Sequence, residues 1–160
     1  NLLGTMGEGG YPAIDRRFPG SFGSAYMYFV VPKVILFRPE HSRRVFVDEV
    51  DFISAPGVSA RDVHRPGGPK FLVTELCLMS FNAERARFRL ESVHPPHTVE
   101  EVRDNTGFDF DVADTVLVTP EPEADRLNVL RSRVGVEIGN TYPGFASRVF
   151  GVEPAKQAVA

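Results

Sequence analysis

Apolar and polar positions along the 160 residues fall into short runs separated by Gly- and Pro-rich breaks. Residues 1–25 carry Gly4, Gly7, Gly9, Gly10, Gly20 and Gly23. Beyond a possible strand start at Asn1–Leu3 they read as loop and tight turns. Lys33–Phe37 (KVILF) is a short run rich in β-branched residues, which predicts a buried strand in a parallel or mixed sheet. Val45–Ile53 is ambiguous between a helical turn and a strand, and Ala55–Pro69 is a surface loop. Phe71–Phe81 (FLVTELCLMSF) has the strongest pattern of a core strand. Asn82–Arg85 then supplies a hairpin turn. Arg87–Val93 alternates, with Phe88 and Leu90 facing one way and Arg85, Arg87 and Arg89 the other, as a half-buried strand does.

Two helices follow. Thr98-Val99-Glu100-Glu101 fits a capping box, in which the Thr98 hydroxyl accepts an N–H from the first turn and Glu101 reaches back. Gly107 is expected as a left-handed stop, with Phe108–Val112 as the next strand. Thr119-Pro120 is expected to open a second helix, with Pro in the first turn where no N–H is needed. Leu127, Leu130 and Val134 would form its apolar stripe. Residues after Gly139 read as an irregular tail. The whole is one α/β unit without repeats or linkers.

Composition narrows the classes. At 42% hydrophobic residues the chain has material for one ordinary core. A net charge of −3, from 18 basic and 21 acidic residues, argues against a nucleic-acid partner. No apolar run has the length of a membrane span, so no membrane partner is expected. The single cysteine, Cys77, cannot form an internal disulfide, and no signal peptide is visible, which together suggest a cytoplasmic protein.

Candidate chemistry lies mainly in one segment, Pro19-Gly20-Ser21-Phe22-Gly23-Ser24. Its two glycines let backbone N–H groups approach a ligand, either to cradle a phosphate or to stabilise an oxyanion. The alternative is a plain turn. Glu8 in Gly7-Glu8-Gly9-Gly10 is an accessible carboxylate, as a thioester-attacking nucleophile must be, or a solvated loop residue. His94-Pro95-Pro96-His97 is not a zinc pair, because its prolines exclude the helix that would align the two rings. It reads as a rigid turn into the Thr98 cap. His41 and His64 sit in polar loops without a visible partner. Cys77 is a core residue. The Arg85, Arg87 and Arg89 face either receives anionic ligand groups or is solvated or at an interface. No metal site is expected.

Several runs in order resemble the β-subunit of glutaconate CoA-transferase and its relatives in CoA-transferase family I. They are Arg43–Gly57 (RRVFVDEVDFISAPG), Gly67-Gly68-Pro69-Lys70, Arg89–Pro95 (RLESVHP) and Thr98–Phe108 (TVEEVRDNTGF). Pro39-Glu40-His41-Ser42 resembles the corresponding stretch of succinyl-CoA:acetoacetate CoA-transferases. The similarity runs from Asn1 to about Arg133.

The resemblance implies a Rossmann-like, open and mainly parallel α/β sheet flanked by helices. It also implies ping-pong transfer, in which a glutamate carboxylate attacks an acyl-CoA thioester and carries CoA as a glutamyl thioester to a second acid. An α-type partner subunit and an acyl-CoA substrate come with it. Coenzyme A enters as part of the substrate, and no permanently bound cofactor is implied. The family's glutamate lies in an E-x-G segment upstream of the matched region, and Asn1 aligns near a Gly-Asn segment in the middle of the subunit. The expectation is thus a single domain over residues 1–154 lacking its N-terminal portion, a frayed tail over 155–160, and no catalytic residue assigned, Glu8 included. Gly20, Ser21, Phe22, Gly23 and Ser24 correspond to the family's CoA and oxyanion loop. That loop typically reads P-G-S-G-G-A, so Phe22 replaces a glycine. Actinobacterial relatives that hydrolyse a carbon–carbon bond in a cyclic CoA thioester of steroid catabolism also have a modified loop. Phe22, Tyr26, Tyr28 and Phe29 would then line a large apolar acyl pocket, or else pack in the core. Ring-opening hydrolysis and a non-catalytic scaffold or ligand-binding role are the alternatives to transfer.

Overall fold

The computed structural model describes residues 5–6, 16–17, 22–50, 53 and 55–151. The chain divides into two compact units, Asn1–Thr119 and Pro120–Ala160. In the first, strands β1 (Thr5–Met6) and β2 (Arg16–Arg17) pair antiparallel. Helix α1 (Phe22–Val30) precedes β3 (Val34–Arg38), and a long loop leads to β4 (Pro69–Thr74). Then come β5 (Cys77–Asn82), β6 (Arg87–Val93), α2 (Val99–Asn105) and β7 (Asp111–Val118).

Strands β3 to β7 form one open sheet in chain order. The two outer pairings are parallel and the two inner ones antiparallel, so β5 runs against the other four strands. This is the open, mainly parallel α/β sheet implied by the sequence. One row crosses it in register: Leu36, Leu72, Met79, Leu90 and Val112. Met79 and Leu90 are fully buried, as is Val102, which α2 contributes to the same cluster. Burying such a side chain stabilises by about 1.5–3 kcal/mol each.

The 71–81 run is two strands, not one. Thr74 makes the turn: its hydroxyl accepts the N–H groups of Leu76 and Cys77, both at 3.1 Å. A side chain that satisfies two backbone donors offers the chain an alternative to continuing the ladder. Glu75 stands exposed at the tip. Strand β3 is an edge strand, with Ile35 and Phe37 largely exposed, rather than the buried strand expected. Of Val45–Ile53, residues 45–50 and 53 are neither helix nor strand, and residues 51 and 52 lie outside the described residues.

Helix α2 starts where expected, with the Glu101 N–H donating to the Thr98 hydroxyl at 3.2 Å. The Glu101 carboxylate does not reach back to Thr98. It takes His97 Nδ1 at 3.0 Å instead. The His94–His97 turn contains a cis Pro95–Pro96 bond and closes with His97 N–H on the His94 carbonyl at 2.8 Å. Gly107 is not a left-handed stop. It is small because a Cβ there would lie 2.4 Å from the Phe46 carbonyl oxygen, which its own N–H contacts at 2.7 Å. The next strand accordingly begins at Asp111 rather than Phe108.

The second unit is helical. Helix α3 (Ala124–Val129) runs through a π-helical turn (Leu130–Val134) into α4 (Gly135–Thr141), and α5 (Pro143–Phe150) follows. The first of these starts later than Thr119-Pro120 suggested. A residue before proline is pushed out of the α region, so Glu121-Pro122 keeps the chain extended. The tail expected after Gly139 is regular: Pro143 opens α5 and Gly151, at φ +66°, closes it. The expected frayed tail, residues 155–160, lies outside the described residues.

Candidate functional site

In open α/β sheets, ligands bind beyond the carboxyl ends of the strands. Four strands here share one direction, and their carboxyl ends lead into Glu40 and His41 (after β3), Thr74 and Glu75 (β4), His94 (β6) and Thr119 (β7).

His41 is the centre of this edge. Its ring is buried, at 4% residue exposure, and lies against Phe46 with centroids 4.5 Å apart. Nδ1 is 2.8 Å from the Thr74 hydroxyl and Nε2 is 2.9 Å from the Thr106 hydroxyl. The partners fix the proton. Thr106 donates its hydroxyl proton to the Val102 carbonyl at 2.7 Å, so it must accept from Nε2–H. Nδ1 is then the acceptor, and Thr74, which already accepts two backbone N–H groups, donates to it. His41 is therefore a neutral Nε2–H imidazole with both nitrogens satisfied. Burial pushes its pKa below the ordinary 6.5, opposed by the Glu75 carboxylate. The His41 backbone N–H donates to that carboxylate at 2.9 Å, anchoring the tip of the β4–β5 turn.

The surrounding groups are also engaged. Glu40 accepts from the Ser42 hydroxyl at 2.8 Å and from Arg44 at 2.6 Å, which lowers its pKa, with the Ser42 hydrogen bond the larger cause. Ser92, Thr119 and His94 form a chain of 2.7 Å contacts: Ser92 Oγ to Thr119 Oγ1, and Thr119 Oγ1 to His94 Nδ1. Cys77 is fully buried, and burial pushes its thiol pKa up, which makes it a core residue rather than a nucleophile.

A groove of about 770 Å³ runs over the sheet between its strands and loop residues 44–50 and 55–58. Tyr28, Leu36, Leu72, Phe81, Phe88 and Phe108 line much of it. A smaller pocket of about 280 Å³ lies at the end of α2, between Arg43, Arg103 and residues 106–110. Phe108 borders both.

Of the residues singled out in the sequence, Gly20 and Ser21 lie outside the described residues, as does Glu8 with its glycines. Phe22, Gly23 and Ser24, expected in a loop, form the first turn of α1. The first backbone N–H groups of a helix have no intrahelical acceptor, and a Cβ built on Gly23 meets nothing within 4 Å. Tyr28 lines the groove, whereas Tyr26 is 66% exposed and Phe29 lies under the Arg65 guanidinium, 4.7 Å from its ring centre. The arginine face is not open to a ligand. Arg85 and Arg87 pair with Asp111, Arg87 also with Asp109, and Arg89 forks onto Glu91. Among the described residues, no three His, Cys, Asp or Glu side chains converge as a metal site would need.

Sequence reasoning missed His41 as a buried hub, together with Thr74 and Thr106. Its hydroxyl partners lie 33 and 65 residues away, so no local signal announces them.

Comparison with known proteins places this geometry. No protein-family model matches the chain. It is 33% identical over 136 residues to the B-type subunit of the 3-oxoadipate CoA-transferase of Pseudomonas knackmussii, covering 81% of this chain and 52% of that protein. It is 31% identical over 127 residues to the B-type subunit of the glutaconate CoA-transferase of Acidaminococcus fermentans, covering 74% and 47%. With the cholesterol ring-cleaving hydrolase IpdB subunit of Rhodococcus jostii it shares 33% identity over 97 residues, covering 58% and 38%. The fold superposes on crystal structures of Rhodococcus jostii IpdAB at a TM-score of 0.63, with 25% identity over 79% of this chain and 52% of that one. For Acidaminococcus fermentans glutaconate coenzyme A-transferase the TM-score is 0.61, with 24% identity over 80% and 51%.

The protein is thus an α/β chain of the CoA-transferase fold. It resembles the C-terminal part of B-type subunits of the CoA-transferase family. The chain spans about half the length of the curated relatives it matches.

Proposed function

We propose that this chain belongs to a cytoplasmic, heteromeric CoA-transferase that acts on acyl-CoA thioesters with an α-type partner subunit. CoA passes between carboxylic acids through a glutamyl-CoA intermediate. Coenzyme A enters as part of the substrate, and no permanently bound cofactor takes part. Neither nucleic acid nor membrane is a partner. The observation that carries the reading is that one ordered similarity and one five-stranded sheet lead to the same family. The part assigned to this chain is the Gly20–Ser24 segment. The N–H groups of Phe22, Gly23 and Ser24, which open α1, would stabilise negative charge on the thioester oxygen, for which preorganised donors are the effective device. No residue of the chain is assigned as the nucleophile.

The test is to co-express the full-length subunit that contains this chain with its cognate α-type subunit, supply a panel of acyl-CoAs and reduce with borohydride. A glutamyl-CoA thioester is reduced to an alcohol at one glutamate, which peptide mass spectrometry locates. Gly23→Leu should abolish turnover and leave the fold unchanged, since the new side chain enters open space. Unchanged turnover would remove the α1 opening from the mechanism.

A ring-opening hydrolase is the second reading. It is favoured by Phe22 in place of a family glycine and by the similarity to the IpdB subunit. Ring-opened CoA product with no modified glutamate would establish it. No turnover of any thioester would favour a scaffold or ligand-binding role.

A further inference from the structure

The pocket at the end of α2 brings two guanidinium groups together. Six arginines elsewhere, Arg44, Arg85, Arg87, Arg89, Arg126 and Arg133, each pair with a carboxylate. Among the described residues Arg38, Arg43, Arg61, Arg65, Arg103, Arg131 and Arg148 have no such partner, and of these Arg43 and Arg103 share this one pocket. The carboxylate that shares the pocket, Asp109, is held by Arg87 at 3.2 Å.

Both cationic arms are fixed away from their free donors. Arg43 Nε donates to the Asp104 carbonyl at 2.6 Å, which leaves the terminal nitrogens of its guanidinium available. The Arg103 guanidinium lies over the Phe110 ring, 5.8 Å from its centre. The carboxyl end of α2 carries about half a negative charge, which one cation more than offsets. A second guanidinium in the same pocket leaves it positive. Arginine forks match phosphate oxygens bidentately, and charge-assisted bonds of this kind are stronger than neutral ones.

The neighbourhood narrows the ligand further. Phe108 is a wall of this pocket and also of the groove of about 770 Å³. A ligand that fits both carries an anionic head joined to a long, less polar arm.

We propose that Arg43 and Arg103 form a phosphate-binding subsite that holds the nucleotide end of the acyl-CoA substrate, with the thioester arm leading past Phe108 into the groove. The anionic class follows from the two arginines. The nucleotide identity rests on the CoA-thioester reading above.

The experiment titrates adenosine 3′,5′-bisphosphate into the full chain, purified with its partner subunit, by calorimetry. Wild-type protein should bind it, more weakly as salt rises. Arg103→Ala and Arg43→Ala should each weaken binding about tenfold or more, with Arg103→Lys intermediate because it keeps the charge and loses the fork. Circular dichroism checks that each variant is folded, and Arg103→Ala keeps the test decisive if loss of the Asp104 contact unfolds Arg43→Ala. In turnover, the same variants should raise KM for acyl-CoA and leave kcat nearly unchanged, as lost ground-state binding does. Folded variants that bind the nucleotide as tightly as wild type would overturn the subsite, as would wild-type protein that binds none. Turnover of acyl-CoA with unaltered KM in the variants would sink the subsite and leave the enzyme reading standing. Arginine-dependent nucleotide binding without turnover of any acyl-CoA would do the reverse.

Discussion

The two compact units bury their residues in different ways. In Asn1–Thr119 the buried side chains converge on one face of a sheet: Leu72, Met79, Leu90 and Val102, with His41, Thr74 and Thr106 hydrogen-bonded among themselves beside them. In Pro120–Ala160 only Gly135 and Ala146 are buried among the described residues, while Val129, Val136, Phe145 and Val149 stay largely exposed. Gly135 lies under the Phe150 ring, where a Cβ would sit 3.0 Å from it. The first unit is held by long-range packing and the second by helical hydrogen bonds and a few small-residue contacts. Apolar composition alone therefore does not make a core. Partners in register make one.

That contrast can be broken in order of expected effect. Leu90→Ala should lose about 3 kcal/mol in urea denaturation, because a fully buried leucine leaves a cavity. Leu130→Ala in the helical unit should stay within about 0.5 kcal/mol. Similar losses at the two sites would end the comparison. Thr106→Val should lose about 1–3 kcal/mol by stranding His41 Nε2–H without an acceptor. A neutral result there would mean that the ring is not the fixed Nε2–H tautomer.

The same residue sets a pH dependence. The folded pKa of His41 lies below the unfolded value of 6.5, so the unfolded chain binds more protons in the window between the two. The contribution is therefore whole above pH 6.5 and is lost as pH falls through the folded pKa. Thermal melts from pH 7.5 downward should show this loss, and it should shrink in His41→Gln. The smallest effect expected is Thr98→Ala, about 1 kcal/mol from the lost α2 cap. A cost below detection would show that packing of Val102 alone holds α2.

Local chemistry was legible wherever the responsible atoms are close in sequence. Thr98 caps α2 three residues ahead of its donor, and Arg87–Val93 alternates because a pleated strand does. The ordered runs in Arg43–Phe108 carried the family resemblance and the fold it implies. Some signals were present but overlooked: Pro143 and Gly151 bracket α5, and Thr74-Glu75 interrupts a run too long for one typical strand. Of the site, the sequence singled out Gly23, but its place in the first turn of a helix is a structural result.

What the sequence could not decide concerns groups brought together from a distance. His41 is a polar loop residue by its neighbours and a buried, doubly bonded hub by its contacts across 33 and 65 positions. Gly107 looked like a helix stop, and it is glycine because the Phe46 carbonyl arrives from another loop. Arg43 and Arg103 lie 60 positions apart and share a pocket only once the sheet has placed the turn after β3 against the end of α2. By itself the sequence determined periodicity, caps and a family resemblance, because these depend on residues within a few positions of one another. Tertiary structure alone decided protonation, close approach and the pairing of distant charges, because each requires two chain segments to meet.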